Sequence, residues 1–256
     1  MPRPISLLSL AGALFSPAAL AATVVGWGAL DQFGLQVPEQ LTNVVAISAR
    51  GERHALALTD DGTVVAWGSS GGWPDNTTPP GLSRAVAIAS GYDHNLILKP
   101  DGTVFQWGAP LVDVHSGQVS DVAPSGLTGV TAVTAGFGFS LALRSDGTLI
   151  GWGNLAPPSA LSKIRTIAAG HSHAMALMED STVICWGNNA FGQTNVPPDL
   201  SDVIAIAGGG LHSLALKRDG TVVAWGSREG GEPFSVPNAL TNVVAISAWI
   251  CLCNRA

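Results

Sequence analysis

Four histidines recur at one fixed place in this chain. His54, His94, His173 and His212 each precede a tryptophan by thirteen residues. Imidazole is the commonest metal ligand and a ready general base at neutral pH, so the first question is whether these rings do chemistry. A metal centre needs its ligands within about 2 Å of one ion. Histidines at equivalent places in successive structural repeats are spread apart, and a fifth copy carries Phe139 at the same place. A structural role follows, with each ring packed and hydrogen-bonded locally. His171 and His173 are two residues apart, and a metal pair is not expected of them. The acidic residues Asp61, Asp101, Asp146, Asp180 and Asp219 also recur, one per repeat. They read as turn formers that cap their own backbone, not as a paired-carboxylate site. No G-x-S-x-G, P-loop, H-E-x-x-H or EF-hand loop is present. The expectation is no catalytic residue, no metal and no cofactor.

The elements that position these residues are repeats. The clearest copy runs from Asp202 to Gly226, and others span Asn43–Gly68, Ala85–Gly108, Val130–Gly153 and Ile164–Gly187. Half copies lie at Thr23–Gly28 and Asn242–Ala248. The Trp-Gly marks at Trp27, Trp67, Trp107, Trp152, Trp186 and Trp225 stand 40, 40, 45, 34 and 39 residues apart. Periods of this size signal propellers, solenoids or arrays. Within a copy, Val44–Ile47, His54–Leu58 and Thr63–Trp67 read as strands, with Asp-Gly marking a hairpin. At Asp180-Ser181 the glycine is replaced, so a strained or different turn is expected. A fourth, outer strand is expected in the variable part, at Gln193–Pro197 and Phe234–Pro237. No helical period appears beyond the N-terminal segment. The fold class is therefore all-β, a β-propeller of about 40-residue repeats, with six blades or an incomplete seven-bladed ring. The tryptophans are its core knobs.

Composition limits the function classes. Of 256 residues, 46% are hydrophobic and 12% charged, which excludes disorder. The net charge of −6 comes without a basic stripe, so no nucleic acid is expected as partner. Residues 1–21 read as a signal peptide: Arg3, an apolar run from Ile5 to Leu20, and Ala19-Leu20-Ala21 before a cut. The mature chain is expected to be secreted or periplasmic, with no stable membrane span after cleavage. Residues 22–248 form the repeat domain. Residues 249–256 depart from the repeat where a His-x-x-Ala-Leu arm is due, and read as an aberrant or truncated tail. A strand edge left open there is expected to destabilise the chain or promote self-association. Cys185, Cys251 and Cys253 make no regular disulfide framework, and Cys185 reads as a small apolar residue. Asn76 begins a glycosylation sequon.

Between the repeat glycine and the histidine position two residues change from copy to copy. They are Glu52-Arg53, Tyr92-Asp93, Phe137-Gly138, His171-Ser172 and Gly210-Leu211. Variable loops on a rigid frame are where function usually sits. These loops are expected on one face of the ring. Glu52, Arg53, Tyr92, Asp93, Phe137, His171 and Leu211 are the candidate partner-binding residues, with Trp73 on a Gly/Pro-rich loop as a further one. Tyr, Phe and Arg are the types that anchor protein interfaces.

The unit from Trp186-Gly187 through Gly192-Gln193 to His212-Ser213-Leu214-Ala215-Leu216 resembles the repeat of the regulator of chromosome condensation family. The resemblance covers Thr23 to Ala248 and implies a β-propeller, typically seven-bladed. The Gly-Gln-Thr-x-Val-Pro wording is similar to bacterial secreted members, among them a propeller-type β-lactamase inhibitor. The resemblance implies a non-enzymatic protein-binding scaffold, in its sharper form an enzyme inhibitor, whose protein partner is unknown. Three other readings stand beside it. One is a module of a larger cell-surface protein. Another is nucleotide exchange or chromatin binding, as in the founding member, against which the signal peptide and acidic balance argue. The last is a propeller hydrolase or lyase, which rests on fold analogy alone.

Overall fold

The computed structural model describes residues 24, 36–49, 54–68, 78–109, 111–112, 119–120, 123–159, 161–227, 231–237, 240 and 242–248. Five three-stranded antiparallel sheets follow one another along the chain. The first blade holds β1 (Val44–Ser48), β2 (His54–Thr59) and β3 (Val64–Gly68). The second holds β4 (Ala87–Ser90), β5 (His94–Leu98) and β6 (Val104–Gly108). The long variable segment after it carries a small hairpin, β7 (Leu111–Val112) with β8 (Val119–Ser120). The third blade holds β9 (Val130–Ala135), β10 (Phe139–Arg144) and β11 (Leu149–Gly153). The fourth holds β12 (Ile164–Ala169), β13 (His173–Met178) and β14 (Val183–Gly187), and the fifth β15 (Val203–Gly208), β16 (His212–Lys217) and β17 (Val222–Gly226). Among the described residues there is no helix. The first strands of successive blades lie against one another and form the inner ring.

The alternation in the middle strand explains the packing. Leu56 and Leu58 point to the next blade and pack on Ile97 and Trp107, while Ala55 and Ala57 lie under Trp67 of their own blade. The scheme repeats. Leu141 and Leu143 meet Ala174, Ala176 and Trp186, and Met175 and Leu177 meet Ala215 and Trp225. One face of each blade is thus large and the other is small with one tryptophan, so the faces interdigitate. Each leucine buried this way contributes about 2 kcal/mol. The core lies between blades as much as within them.

The turns follow from local chemistry. Gly62 N–H donates to Thr59 C=O and Thr59 N–H donates to Thr63 C=O, each at 3.0 Å, with Gly62 at φ +85°. This is a three-residue hairpin loop, a type I turn closed by a left-handed residue. The Asp61 carboxylate accepts the Thr63 N–H at 2.9 Å, and Asp101, Asp146, Asp180 and Asp219 do the same two residues on. The expectation that the aspartates cap their own backbone holds at all five turns. At Asp180-Ser181 the turn is the same type, with Ser181 itself at φ +69°, so the substitution is strained rather than restructured.

The expected fourth strand is absent at both places named. Gln193–Pro197 is a turn knitted by Asn188, Asn189, Gln193 and Asn195, and Phe234–Pro237 is not a strand. The prolines after each variable segment, Pro79-Pro80, Pro197-Pro198 and Pro237, have no N–H to give a ladder. In the first blade a side chain takes over this task. The Thr78 hydroxyl accepts the Ala66 N–H at 3.0 Å and donates to Val64 C=O at 3.2 Å, satisfying the outer edge of β3.

Candidate functional site

The loop between the first and second strands of each blade opens with a glycine: Gly91, Gly136, Gly170 and Gly209. A Cβ at each would run into the ring three residues on, His94, Phe139, His173 or His212. The ring lies flat on the glycine, which is why the repeat reads Gly-x-x-His. Each glycine N–H also donates to the carbonyl of that same residue, between 2.7 and 2.9 Å. A second tie comes from the residue after Trp-Gly. Ala109, Asn154, Asn188 and Ser227 donate to Asp93, Gly138, Ser172 and Leu211 carbonyls at 2.7–3.0 Å. That return path requires the Trp-Gly glycine, which takes φ between +90° and +109° in all five blades.

The histidines bond across blades, correcting the expectation of a local partner. His94 Nε2 lies 2.8 Å from the Ser140 hydroxyl, and His173 Nε2 lies 2.9 Å from that of Ser213, each in the following blade. His54 lies beside Asn95, although neither ring nitrogen reaches hydrogen-bond geometry. Where Phe139 replaces histidine, the facing residue is Ala174. The ring and its partner thus change together, polar with polar and apolar with apolar. Burial holds the His54 ring down to about 4 and the His94 ring down to about 3, so both are neutral at pH 7. His212 instead stacks on Phe234, with centroids 3.8 Å apart.

Outside this buried layer three variable residues meet. Tyr92, Phe137 and His171 come from the second, third and fourth blades. The Phe137 and His171 rings stack at 4.6 Å and 14°, and Tyr92 meets them edge-on at 5.1 and 5.8 Å. Their loops are sewn together: Tyr92 N–H donates to Gly136 C=O, Phe137 N–H to His171 C=O and His171 N–H to Gly209 C=O. Phe137 is 40% exposed, while Tyr92, Asp93, His171 and Leu211 are half-buried. Burial lowers the His171 pKa, and its Nδ1 lies 2.7 Å from the Ser172 hydroxyl. A neutral imidazole on a phenyl face is an aromatic stack, not a cation held over a ring. His171 and His173 do not converge on one point, since His173 turns inward to Ser213.

A family model, the regulator of chromosome condensation (RCC1) repeat, matches residues 44–71, 130–154, 164–193 and 203–229. The chain carries repeats of the RCC1 type. The second blade lies outside those segments yet repeats the same sheet and the same cross-blade histidine. No curated protein matches the chain by sequence. Among solved structures it is similar to yeast RCC1 (Prp20) bound to Kap60, with 18% identity and a TM-score of 0.64, covering 81% of this chain and 66% of that one. It is also similar to the CRINKLY WD40 ectodomain of the Arabidopsis thaliana receptor kinase ACR4, with 22% identity and a TM-score of 0.59, covering 81% and 72%. Human WBSCR16 aligns at 21% identity and a TM-score of 0.62, covering 81% and 70%. A second Prp20p structure from Saccharomyces cerevisiae is covered over 57% of its length, so the chain spans two thirds or less of the yeast protein. At these identities the likeness is one of fold, the RCC1-type propeller.

The RCC1-repeat frame locates the remaining residues. Trp67, Trp107, Trp152, Trp186 and Trp225 are all buried, as core knobs should be. Trp152 donates to Gln106 Oε1 at 2.7 Å and Trp225 to the Gln193 carbonyl at 3.0 Å. Gln193, the glutamine of the Gly-Gln element, is a hub that residue-type reasoning passed over. Its side chain binds Phe191 N–H and Asn188 Oδ1, and its carbonyl also accepts the Ser213 hydroxyl. Cys185 is half-buried, with burial pushing its thiol up to about 12. Glu52, Arg53, Trp27 and Trp73 lie outside the described residues, as do the cysteines of the tail. Among the described residues no group of three or more His, Cys, Asp or Glu could share an ion, and no helix is long and apolar enough to cross a membrane.

Proposed function

We propose that this RCC1-repeat chain is a protein-binding scaffold, and that the rim around Tyr92, Phe137 and His171 is its contact surface. The observation that carries the reading is the three-blade aromatic cluster, half-open to solvent and fixed by backbone bonds on all sides. Rigid aromatic anchors lose little entropy on binding and bury large apolar area. Asp93 and Leu211 flank them on the same rim, and Glu52 and Arg53 hold the equivalent places in the sequence of the first repeat. Of the yeast neighbours, RCC1 (Prp20) is seen bound to Kap60, and Prp20p has binding properties toward Gsp1p and histones. They are compatible with a scaffold role here and do not identify the partner. The role is non-enzymatic, and inhibition of a partner enzyme is its sharper form. The chain acts outside the cytoplasm after loss of residues 1–21.

The test uses a photo-crosslinking amino acid placed at Phe137 or, on the far end of the same blade, at Asp146. A partner joined from position 137 and not from 146 is the expected result. Equal labelling from both positions, or none from 137, overturns the assignment of the surface. Export is checked by the intact mass of the chain recovered outside the cytoplasm, expected to begin at Ala22.

A further inference from the structure

The nonapeptide Leu-Thr-Asn-Val-Val-Ala-Ile-Ser-Ala occurs twice, at residues 41–49 and 240–248. In the first copy Val44–Ser48 is β1, ladder-paired with β2, and Val45, the counterpart of Val244, is half-buried. In the second copy residues 243–248 form no strand, and Val244 is 92% exposed. Identical sequences have identical intrinsic propensity, so the difference lies in what stands beside each copy.

The second copy is nevertheless seated as a first strand. Val243 N–H donates to the Gly220 carbonyl at 3.3 Å, just as Ala85 donates to Gly62 at 2.9 Å and Val130 to Gly102 at 3.0 Å between earlier blades. Asn242 takes φ +58°, matching +56° at Asn43 and +57° at Asp202 before their strands. Gly220 lies close against Asn242 as Gly102 lies against Gly129. The segment therefore sits on the fifth blade where a further inner strand belongs, and among the described residues no strand pairs with it.

We infer that residues 242–246 are an acceptor edge for β-strand addition, filled by a strand–turn–strand arm of the His-x-Leu-Ala-Leu type from another protein chain. The register is set by the first copy, where Ala46 pairs with Leu58 and Ile47 with Ala57. By identity, Ala245 and Ile246 take the Leu and Ala of the incoming strand. The acceptor carries no charge, and its exposed Val244 asks for an apolar neighbour. Main-chain ladder bonds supply affinity in this mode and alternate side chains supply specificity. A second copy of this chain is a poor source. Its β2 is already held between β1 and β3, and exchanging one identical strand for another gains nothing.

The probe is a synthetic peptide of residues 51–68, the β2–β3 arm that pairs with the first nonapeptide, titrated into the purified full chain by fluorescence anisotropy. Saturable one-to-one binding and a raised Tm are expected. The variant Ala245→Pro/Ile246→Pro removes two consecutive N–H groups, one of which must face the incoming strand whichever way the pleat runs. It should weaken binding by about tenfold or more and leave the circular dichroism of the folded chain unchanged, since residues 245 and 246 lie outside any strand and neither is fully buried. A peptide with Leu56→Lys should weaken similarly. Absence of saturable binding to the folded parent chain overturns the proposal. Equal binding to the proline variant overturns it too. A concentration-dependent dimer that the proline variant abolishes and the peptide cannot displace also overturns it, because the occupant is then a second copy.

Discussion

At one end of each middle strand the chain reads Asp-Gly-Thr or a close variant, and every aspartate accepts the N–H two residues on. At the other end it reads Gly-x-x-His, and the two middle residues differ in every blade: Tyr-Asp, Phe-Gly, His-Ser, Gly-Leu. The turn end repeats because its side chains serve the backbone. The rim end varies because there the backbone is held by other means. The glycine N–H, the return from Trp-Gly and the neighbouring loop together fix the main chain through backbone bonds, without help from the side chains of residues 92, 137 or 171. A face whose frame does not depend on its side chains is free to carry recognition.

Removing the neutral layer beneath the rim should have the largest effect. His54 and His94 have folded pKa values near 4 and 3 against an ordinary 6.5. The unfolded chain therefore binds more protons in between. Their contribution is complete above pH 6.5 and is lost as pH falls below it. At pH 5 the loss approaches about 2 kcal/mol per ring. Urea unfolding at pH 7 and pH 5 should show a clear drop in midpoint. The turn aspartates act in the same direction, losing their support as pH falls, but in a lower window. Hydrogen bonds from Thr59 and Thr63 hold the Asp61 carboxyl down to about 2, so its support persists until far lower pH.

Next comes the frame itself. Gly187 sits at φ +103°, with the Ser172 carbonyl 2.8 Å from any added Cβ. Gly187→Ala should cost about 3 kcal/mol by denaturant unfolding. Smaller again is the cross-blade pair. Ser213→Ala leaves His173 Nε2 buried without its partner and should cost about 2 kcal/mol. His173→Phe/Ser213→Ala recreates the natural Phe139 and Ala174 pairing, and a double-mutant cycle should recover most of the loss. The smallest change is a gain. Ser181→Gly relieves a left-handed serine and should stabilise by about 1 kcal/mol, which calorimetry can resolve.

Much of this was legible in the chain. The alternation in His54–Leu58 and the Asp-Gly turns are local signals, and local physics decides them. The gathering of Tyr92 and Phe137 on one face followed from equal placement in each repeat. Long-range partners were not legible. Nothing near His173 in sequence points to Ser213, forty residues on, and only the Phe139–Ala174 exchange hints at the rule. The outer strand was misread because Gln193-Thr194-Asn195-Val196 has strand-like residues. The two prolines after it deny the ladder, and the Thr78 hydroxyl does that work for the first blade.

The most direct test of the central claim is the unfolding free energy of Tyr92→Ala/Phe137→Ala/His171→Ala, measured beside its partner crosslinking at the rim. If the frame stands without these side chains, the triple variant stays folded within about 2 kcal/mol of the parent, the sum expected for half-exposed aromatic contacts, and loses the partner. If it unfolds, or keeps the partner unchanged, the cluster is part of the core and the recognition surface lies elsewhere.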